Sequence, residues 1–391
     1  MENSNESMNI SAEESMVSEN SEAIVNAAET VSAANVAGND DARKMKKAYS
    51  KYGLAAAIFG VGITILETIT ATVFNRVTGQ QPAESGWFAF ANTILCIYMI
   101  GFPILFLTTK NMEKKVPEKH KLGFGKFIVC IMLMAGMIGV GAVVGLALNY
   151  ALTLPFGVSA QNSSELAMVM MNSHPFWRIL TAGILAPIFE ELIFRKFLID
   201  RTYRYGEWVA IFTSGLMFGL FHGNFAQFFF TTLIGGLFAY IYIRTGRIWY
   251  TMGLHAVLNL STSVITMATM KPYMEMDPNT LVEYQNVSNQ YLATQDPALA
   301  QRLTELASEV LPKMMPFVLW SGLAGQVILV GIVLWIIFLA KKKFTLKRSE
   351  NYVEKGGRFA WGNVGMILFL VYSIISIALN YIQLIAAYGG K

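Results

Sequence analysis

Long apolar stretches recur along this chain, and short polar segments separate them. A helix that crosses a membrane needs roughly 20 mostly apolar residues, and the pattern meets that length repeatedly. We predict nine such spans, at residues 53–74, 87–108, 127–150, 177–194, 208–222, 227–243, 248–270, 316–340 and 361–385. The hydrophobic pattern therefore predicts an all-α, polytopic membrane protein.

The composition agrees with this class and argues against a soluble protein of two or three domains. Hydrophobic residues make up 54% of the 391 positions and charged residues only 14%, a balance typical of chains embedded in lipid. The two cysteines, Cys96 and Cys130, each lie inside an apolar stretch. Their context predicts neither a disulfide framework nor a cysteine-based metal site.

Charge is distributed unevenly along the chain. The first 42 residues contain nine acidic side chains and no Lys or Arg, so the remainder carries 30 basic against 17 acidic residues. We predict that residues 1–43 form a disordered, acidic cytoplasmic tail, because a segment without aromatic residues buries too little surface to offset its ordering entropy. The basic excess lies between apolar spans, which favours a membrane topology signal over a nucleic-acid surface.

The positions of the basic residues predict the topology. Lys and Arg concentrate in alternate loops, at residues 43–51, 110–126, 195–204, 244–247 and 341–358. Loops rich in Lys and Arg remain on the cytoplasmic side of a membrane. We therefore expect a multi-pass protein of the cell membrane with a cytoplasmic amino terminus.

The chain after the acidic tail divides into four parts. Residues 44–160 are predicted to hold the first three spans, residues 161–270 a core of four spans, and residues 316–391 the last two. Residues 271–315 are expected to form an extracytoplasmic loop. This loop contains one amphipathic helix, for which Asp296 is a suitable amino-terminal cap.

Ionisable residues inside the spans are the strongest indication of function, because each costs roughly 2.5–3.5 kcal/mol on insertion scales and usually faces a cavity or a partner. They concentrate in the fourth to seventh spans. Glu191 precedes Arg195 by four residues, a spacing at which a helical ion pair forms. Glu190 lies about 100° around the helix and lacks that partner, which suits a general base. Glu67, in the first span, belongs to no motif, and we predict that it is structural or lines a cavity.

Two further motifs lie in the following spans. Phe218 and His222 are four residues apart, and nearby glycines allow close approach of another helix. His255 and Asn259 have the same spacing, which places an imidazole and an amide on one helix face. Such a pair can donate two hydrogen bonds to one oxygen atom, as an oxyanion hole requires.

Together these motifs resemble those of a known family. Glu-Glu-x-x-x-Arg, Phe-x-x-x-His and His-x-x-x-Asn, in this order on successive apolar segments, are similar to the motifs of the CAAX prenyl protease and bacteriocin-processing family, also called the abortive-infection family. The resemblance covers residues 175–262. It implies an eight-helix-like membrane core with an intramembrane active site, where peptide bonds are hydrolysed in a cavity reached from the cytosol.

The resemblance also implies roles for individual residues. The residues that it makes catalytic are Glu190, His222, His255 and Asn259. Of these, Glu190 and His222 would activate water, and the other two would stabilise the oxyanion. Glu191 and Arg195 would support the site. The implied partners are a peptide or protein substrate and the lipid bilayer, with no nucleic acid.

Metal dependence has two interpretations. Members of the family are often labelled metalloproteases, yet the mechanism can also depend on glutamate and water without a metal. We favour a site that requires no cofactor. If zinc is bound, its ligands would be Glu190, His222 and His255, a two-histidine, one-carboxylate set with an open coordination position.

Other functions are compatible with the same residues. One alternative is a non-catalytic membrane scaffold or bacteriocin immunity protein of the same family. Another is an ion-coupled transporter, in which the carboxylates and histidines would form a relay, although no internal repeat is obvious. Membrane helices also associate through purely structural polar networks, which is the competing interpretation of the motif residues themselves.

Overall fold

Every regular element among the described residues is helical. The computed structural model describes residues 2–157, 173–347, 349 and 351–388. Nearly all side chains from Gly38 onwards are described as well. The boundary predicted at residue 160 lies outside these ranges. The prediction of an all-α polytopic membrane fold is confirmed.

The nine predicted spans all coincide with helices, apart from up to three residues at an end. In chain order the helices are α1 (Glu2–Thr78), α2 (Phe88–Thr109), α3 (Phe124–Thr153), α4 (175–202), α5 (Glu207–Phe221), α6 (Phe225–Thr245), α7 (248–274), α8 (Pro278–Thr294), α9 (Pro297–Ala340), α10 (Gly357–Trp361) and α11 (Val364–Tyr388). Three of them, α2, α4 and α7, include stretches of π-helix.

Six of the described helices are long and apolar enough to cross a membrane: α1 from Gly38, α2, α3, α6, α9 and α11. The other three predicted spans are α4, α5 and α7. α5 is apolar but only 15 residues long, whereas α4 and α7 carry the charged and polar motif residues. The count of nine is therefore not confirmed by length and composition. The motif residues lie in, or directly after, α4, α5 and α7, which are the three predicted spans that these criteria do not include.

α1 includes the segment for which the sequence predicts disorder. Its backbone is helical from Glu2 to Thr78, so the structure differs from the disordered tail expected at residues 1–43. Ala and Glu, which are frequent in this segment, have high helix propensity, and a helix satisfies its backbone hydrogen bonds internally.

The segment predicted as a loop, 271–315, is helical for most of its length. Its predicted cap is present, since the Asp296 carboxylate accepts a hydrogen bond of 2.9 Å from the backbone two residues later. The helix then continues past Pro312 and Pro316, so the boundary expected after residue 315 is not a break in the structure. Each proline removes only one backbone hydrogen bond, and membrane helices tolerate proline.

The basic loops lie together at one end of the helices, which we call the basic end. The 110–126 loop forms backbone hydrogen bonds of 2.6 and 2.8 Å with the 195–204 and 244–247 segments. The 341–358 loop forms one of 3.2 Å with 195–204, and its Asn351 amide reaches the Asp41 carboxylate in α1. Their common location agrees with the alternation in the sequence.

Glycines bring α3 and α9 into close contact. A Cβ atom added at Gly136 would lie only 2.7 Å from the carbonyl oxygen of Gly331. No side chain fits there without moving one helix. Small residues at helix contacts let membrane helices approach closely.

We expect Gly136→Val to destabilise the protein by about 1–3 kcal/mol, because it overpacks this contact. The measurement is unfolding in mild detergent. The control is Gly325→Val on α9, where an added Cβ meets nothing within 4 Å. Equal stability of the two variants would contradict the close packing of α3 on α9.

Candidate active site

α4 carries its two adjacent glutamates between irregular helical turns. The α-helical stretch Ala186–Glu191 is flanked by π-helical stretches at Ile179–Leu185 and Leu192–Phe197. Pro187, near the start of the central stretch, contributes no backbone donor. Such π-helical turns are frequent at functional sites, because they change the direction in which side chains point.

Glu191 is the buried member of the pair. Its side chain is 0% exposed, and its Oε2 atom lies 3.2 Å from Nε of Arg195. Its other oxygen, Oε1, accepts a hydrogen bond of 3.1 Å from Nδ1 of His255. The predicted Glu191–Arg195 pair is thus present, and the same carboxylate also joins α4 to α7.

Arg195 is stabilised in this buried position by aromatic rings as well as by charge. The central carbon of its guanidinium lies 4.5 Å from the ring centre of Phe218 and 5.3 Å from that of Phe238. Its Nη2 atom lies 3.5 Å from the carbonyl oxygen of Gly235. Rings within 6 Å attract a cation through their quadrupoles, so α5 and α6 both support the buried ion pair.

Glu190 faces the other side of the same imidazole. Its Oε2 atom lies 3.7 Å from Nε2 of His255, and its side chain is 28% exposed. His255 therefore lies between two carboxylates, with Nδ1 bound to Glu191 and Nε2 directed at Glu190. The two adjacent glutamates differ as the sequence predicts, since one is committed to a buried partner and the other is accessible.

His222 comes directly after the last residue of α5. Its Nδ1 atom donates a hydrogen bond of 2.8 Å to the carbonyl oxygen of Phe218. A carbonyl can only accept, so in the neutral imidazole the proton resides on Nδ1 and the lone pair on Nε2. The Phe218 ring packs edge-on against the rings of both His222, at 4.9 Å, and His255, at 5.7 Å. His222 also lies within electrostatic range of Glu190.

Asn259 is one helical turn from His255 on α7. Its Nδ2 atom donates a hydrogen bond of 2.8 Å to the carbonyl oxygen of Ala182, in the first π-helical stretch of α4. An amide has two N–H donors, so one remains for another acceptor. Asn259 thus has a structural contact that the sequence did not predict.

Sequence reasoning missed the contribution of α6. Besides the Gly235 carbonyl, α6 places the Phe238 ring 5.9 Å from the His255 ring. No motif marks α6, which reads as an ordinary apolar span, so no local signal could have identified these contacts. Phe218 likewise had no predicted role beyond its spacing. Its ring contacts three of the motif side chains, those of Arg195, His222 and His255.

Zinc is the alternative cofactor for this site. The imidazoles of His222 and His255 with the carboxylate of Glu190 have the donor chemistry that zinc prefers. However, no group of three or more His, Cys, Asp or Glu side chains in the described part of the chain is placed to hold a metal ion. In this arrangement the three donors do not form a ligand set.

Residues 172–261 contain all of the site residues described above, and they match the family model of type II CAAX prenyl endopeptidases, Rce1-like. Over this segment the chain is similar to the CAAX prenyl endopeptidase family. The resemblance inferred from the three motifs is confirmed. The matched segment, which we call the CAAX segment, makes up less than a third of the chain.

One curated relative resembles this chain over part of its length. The protein described as "Putative membrane peptidase YdiL", from Bacillus subtilis strain 168, is 27% identical over 121 residues, which are 31% of this chain and 50% of that protein. The chain thus spans about half the length of this relative. No solved structure matches the chain.

We expect Glu191→Gln to destabilise the CAAX segment by about 3–5 kcal/mol, because it leaves the buried Arg195 guanidinium without a compensating charge. Glu190→Gln removes an accessible carboxylate and should change stability by less than about 1 kcal/mol. Thermal unfolding of both variants in the same detergent is the measurement. Equal losses of stability would show that the two glutamates are not divided in this way.

Proposed function

We propose that this chain is an intramembrane endopeptidase, a hydrolase in which Glu190 is the general base. The observation that carries the proposal is the division between the two adjacent carboxylates. Glu191 is fully buried and holds Arg195 and His255, whereas Glu190 is partly exposed, and its ion-pair contact among the described residues is the more distant His255 Nε2 atom at 3.7 Å. A general base has to be reached by water and substrate, and Glu190 meets that requirement.

Water activation would use Glu190 together with His222. The free lone pair on His222 Nε2 accepts a hydrogen bond from one O–H of the water, while Glu190 takes the proton of the other. The resulting hydroxide oxygen bonds to the carbonyl carbon of the substrate, and the electrons of the C=O double bond move to its oxygen. Positioned proton transfer of this kind contributes about 10²–10⁴-fold to a rate.

Stabilisation of the oxyanion would come from α7. With its Nδ1–H donated to Glu191, His255 can donate from Nε2 to the oxyanion only as an imidazolium, and the Glu191 carboxylate complements that positive charge while Glu190 holds the proton taken from water. The remaining N–H of Asn259 is the second donor. When the intermediate collapses, the C–N bond breaks and the proton held by Glu190 passes to the departing amine.

A groove beside His222 suggests how a peptide reaches the site. It lies between α1 and α11 and has a volume of about 350 Å³. Its apolar lining residues include Val61, Ile65, Ile375 and Leu379, and its polar ones Thr64, Tyr372, Ser376 and Asn380. An extended peptide inside a membrane needs partners for its backbone groups, which such mixed walls provide. We therefore infer a peptide or protein substrate that enters between these two helices.

The decisive measurement is cleavage of a fluorogenic peptide library by the full chain in nanodiscs. We expect turnover by the unmodified protein and a loss of at least about 100-fold in Glu190→Gln, with normal thermal unfolding. Glu67→Gln is the matched control, because Glu67 is also a glutamate within a helix of the membrane body but belongs to no motif. It should retain most turnover.

Three outcomes would contradict parts of this proposal. Absence of cleavage by the folded, unmodified protein would favour a scaffold or immunity protein. Activity that is lost on chelation and restored by zinc would replace direct activation by Glu190 with metal chemistry. A folded but inactive Glu191→Gln, combined with an active Glu190→Gln, would reverse the roles of the two glutamates.

The groove makes a separate prediction. Leu379→Trp should partly fill it and raise the KM for peptide cleavage about tenfold with little change in kcat, because it hinders binding and leaves the reacting groups in place. Leu379 is 47% exposed, so the larger side chain has room. Ile382→Trp is the control, since Ile382 is exposed on the same helix but does not line the groove. Unchanged kinetics in Leu379→Trp would rule out this route.

A further inference from the structure

A second groove, distant in sequence from the motifs, lies among α3, α6 and α9 at the basic end. Its volume is about 330 Å³. The apolar side chains along it include Val129, Leu133, Leu237, Ile241, Phe338 and Phe344. On one side of the groove three aromatic rings pack together. The ring centre of Phe344 lies 5.8 Å from that of Phe338 and, edge-on, 5.3 Å from that of Tyr240.

Basic side chains line the same groove at the ends of all three helices. Lys126 lies in the first turn of α3, Arg244 in the last turn of α6, and Lys343 just after α9. Arg244 is already committed, because it donates hydrogen bonds of 3.0 and 2.5 Å to Glu207. Lys126 and Lys343 are exposed and form no ion pair within the described part of the chain. Two cations are therefore free to bind an anion.

The groove changes from charged to apolar along the helices. Leu133 is seven residues beyond Lys126 on α3, a distance of about 10 Å along the axis, and Leu237 lies seven residues before Arg244 on α6. A ligand that fits has an anionic head and an extended apolar chain. A small soluble anion would leave the apolar part unfilled.

We propose that this groove is a binding site for an anionic phospholipid. The phosphate binds Lys126 and Lys343, and an acyl chain lies along Val129, Leu133 and Leu237. Anionic lipids are attracted to basic residues at the ends of membrane helices by about 1 kcal/mol per cation. The site is independent of the proposed peptidase activity.

Bound lipid would also contact a helix that supports the candidate active site. α6 contributes Leu237 to the groove and, from the residues on either side, Phe238 and the Gly235 carbonyl to Arg195. Lipid that holds α6 in place therefore stabilises the surroundings of the buried ion pair. This predicts a thermal shift as well as binding.

The test uses the full chain in detergent, supplied with phosphatidylglycerol or with phosphatidylcholine of the same acyl chains. Native mass spectrometry should show phosphatidylglycerol retained on the order of tenfold more than phosphatidylcholine, together with a higher unfolding temperature. Combining Lys126→Gln with Lys343→Gln should reduce that preference to near one. Combining Lys46→Gln with Lys119→Gln is the matched control, because both lysines are exposed and neither lines the groove.

A second variant obstructs the groove without changing its charge. Gly125 lines the groove, and an added Cβ there meets nothing within 4 Å, so Gly125→Leu should fold normally and reduce retention of phosphatidylglycerol several-fold. Gly322→Leu on α9, also with open space, should retain it.

Three results would overturn the proposal. The first is an unchanged lipid preference in the double lysine variant, and the second is unchanged retention in Gly125→Leu. The third is stabilisation of the protein by glycerol 3-phosphate as strong as that by phosphatidylglycerol, which would mean that the site binds only a soluble anion.

Discussion

The buried Glu191 carboxylate is the interaction on which the candidate site depends. A charge removed from water is costly unless it is paired and hydrogen-bonded, and Glu191 meets this condition by contacting Arg195 on its own helix and His255 on α7. The rings of Phe218 and Phe238 then enclose the guanidinium. Side chains from four helices, α4 to α7, therefore contact this ion pair, and the hydrogen bond to Glu191 sets the orientation of the His255 ring.

That orientation determines what the remaining groups can do. Because Nδ1 of His255 is bound to Glu191, only Nε2 is available on the side of Glu190. His222 has the same limitation from a different cause, since its Nδ1 donates to the Phe218 carbonyl. Nε2 is thus the available nitrogen of both imidazoles. That of His255 lies beside the accessible carboxylate, and His222 lines the groove between α1 and α11. The chemistry proposed for the site uses no other ring atom.

Local features of the sequence predicted the helices and the partners within one helix. The apolar spans, the Glu191–Arg195 pair and the Asp296 cap all depend on residues a few positions apart, and all are present. Contacts between different helices could be predicted from the sequence only in part. The motifs indicated that His255 belongs near the glutamates, but not which carboxylate binds Nδ1, because this depends on the rotation of α4 through its π-helical stretches. The contribution of α6 and the contact of Asn259 with Ala182 have no sequence signal for the same reason.

The π-helical stretches of α4 also constrain how the chain length may vary. A π-helical turn accommodates an additional residue within a helix, and each residue in an α-helix turns the chain by about 100°. Deleting one residue between Glu191 and Arg195 would restore regular α-helix in this stretch. It would rotate Arg195, and the segment that is bonded to the other basic loops, relative to Glu191. The length of this short stretch therefore sets the angular register between the candidate site and the basic end of the protein.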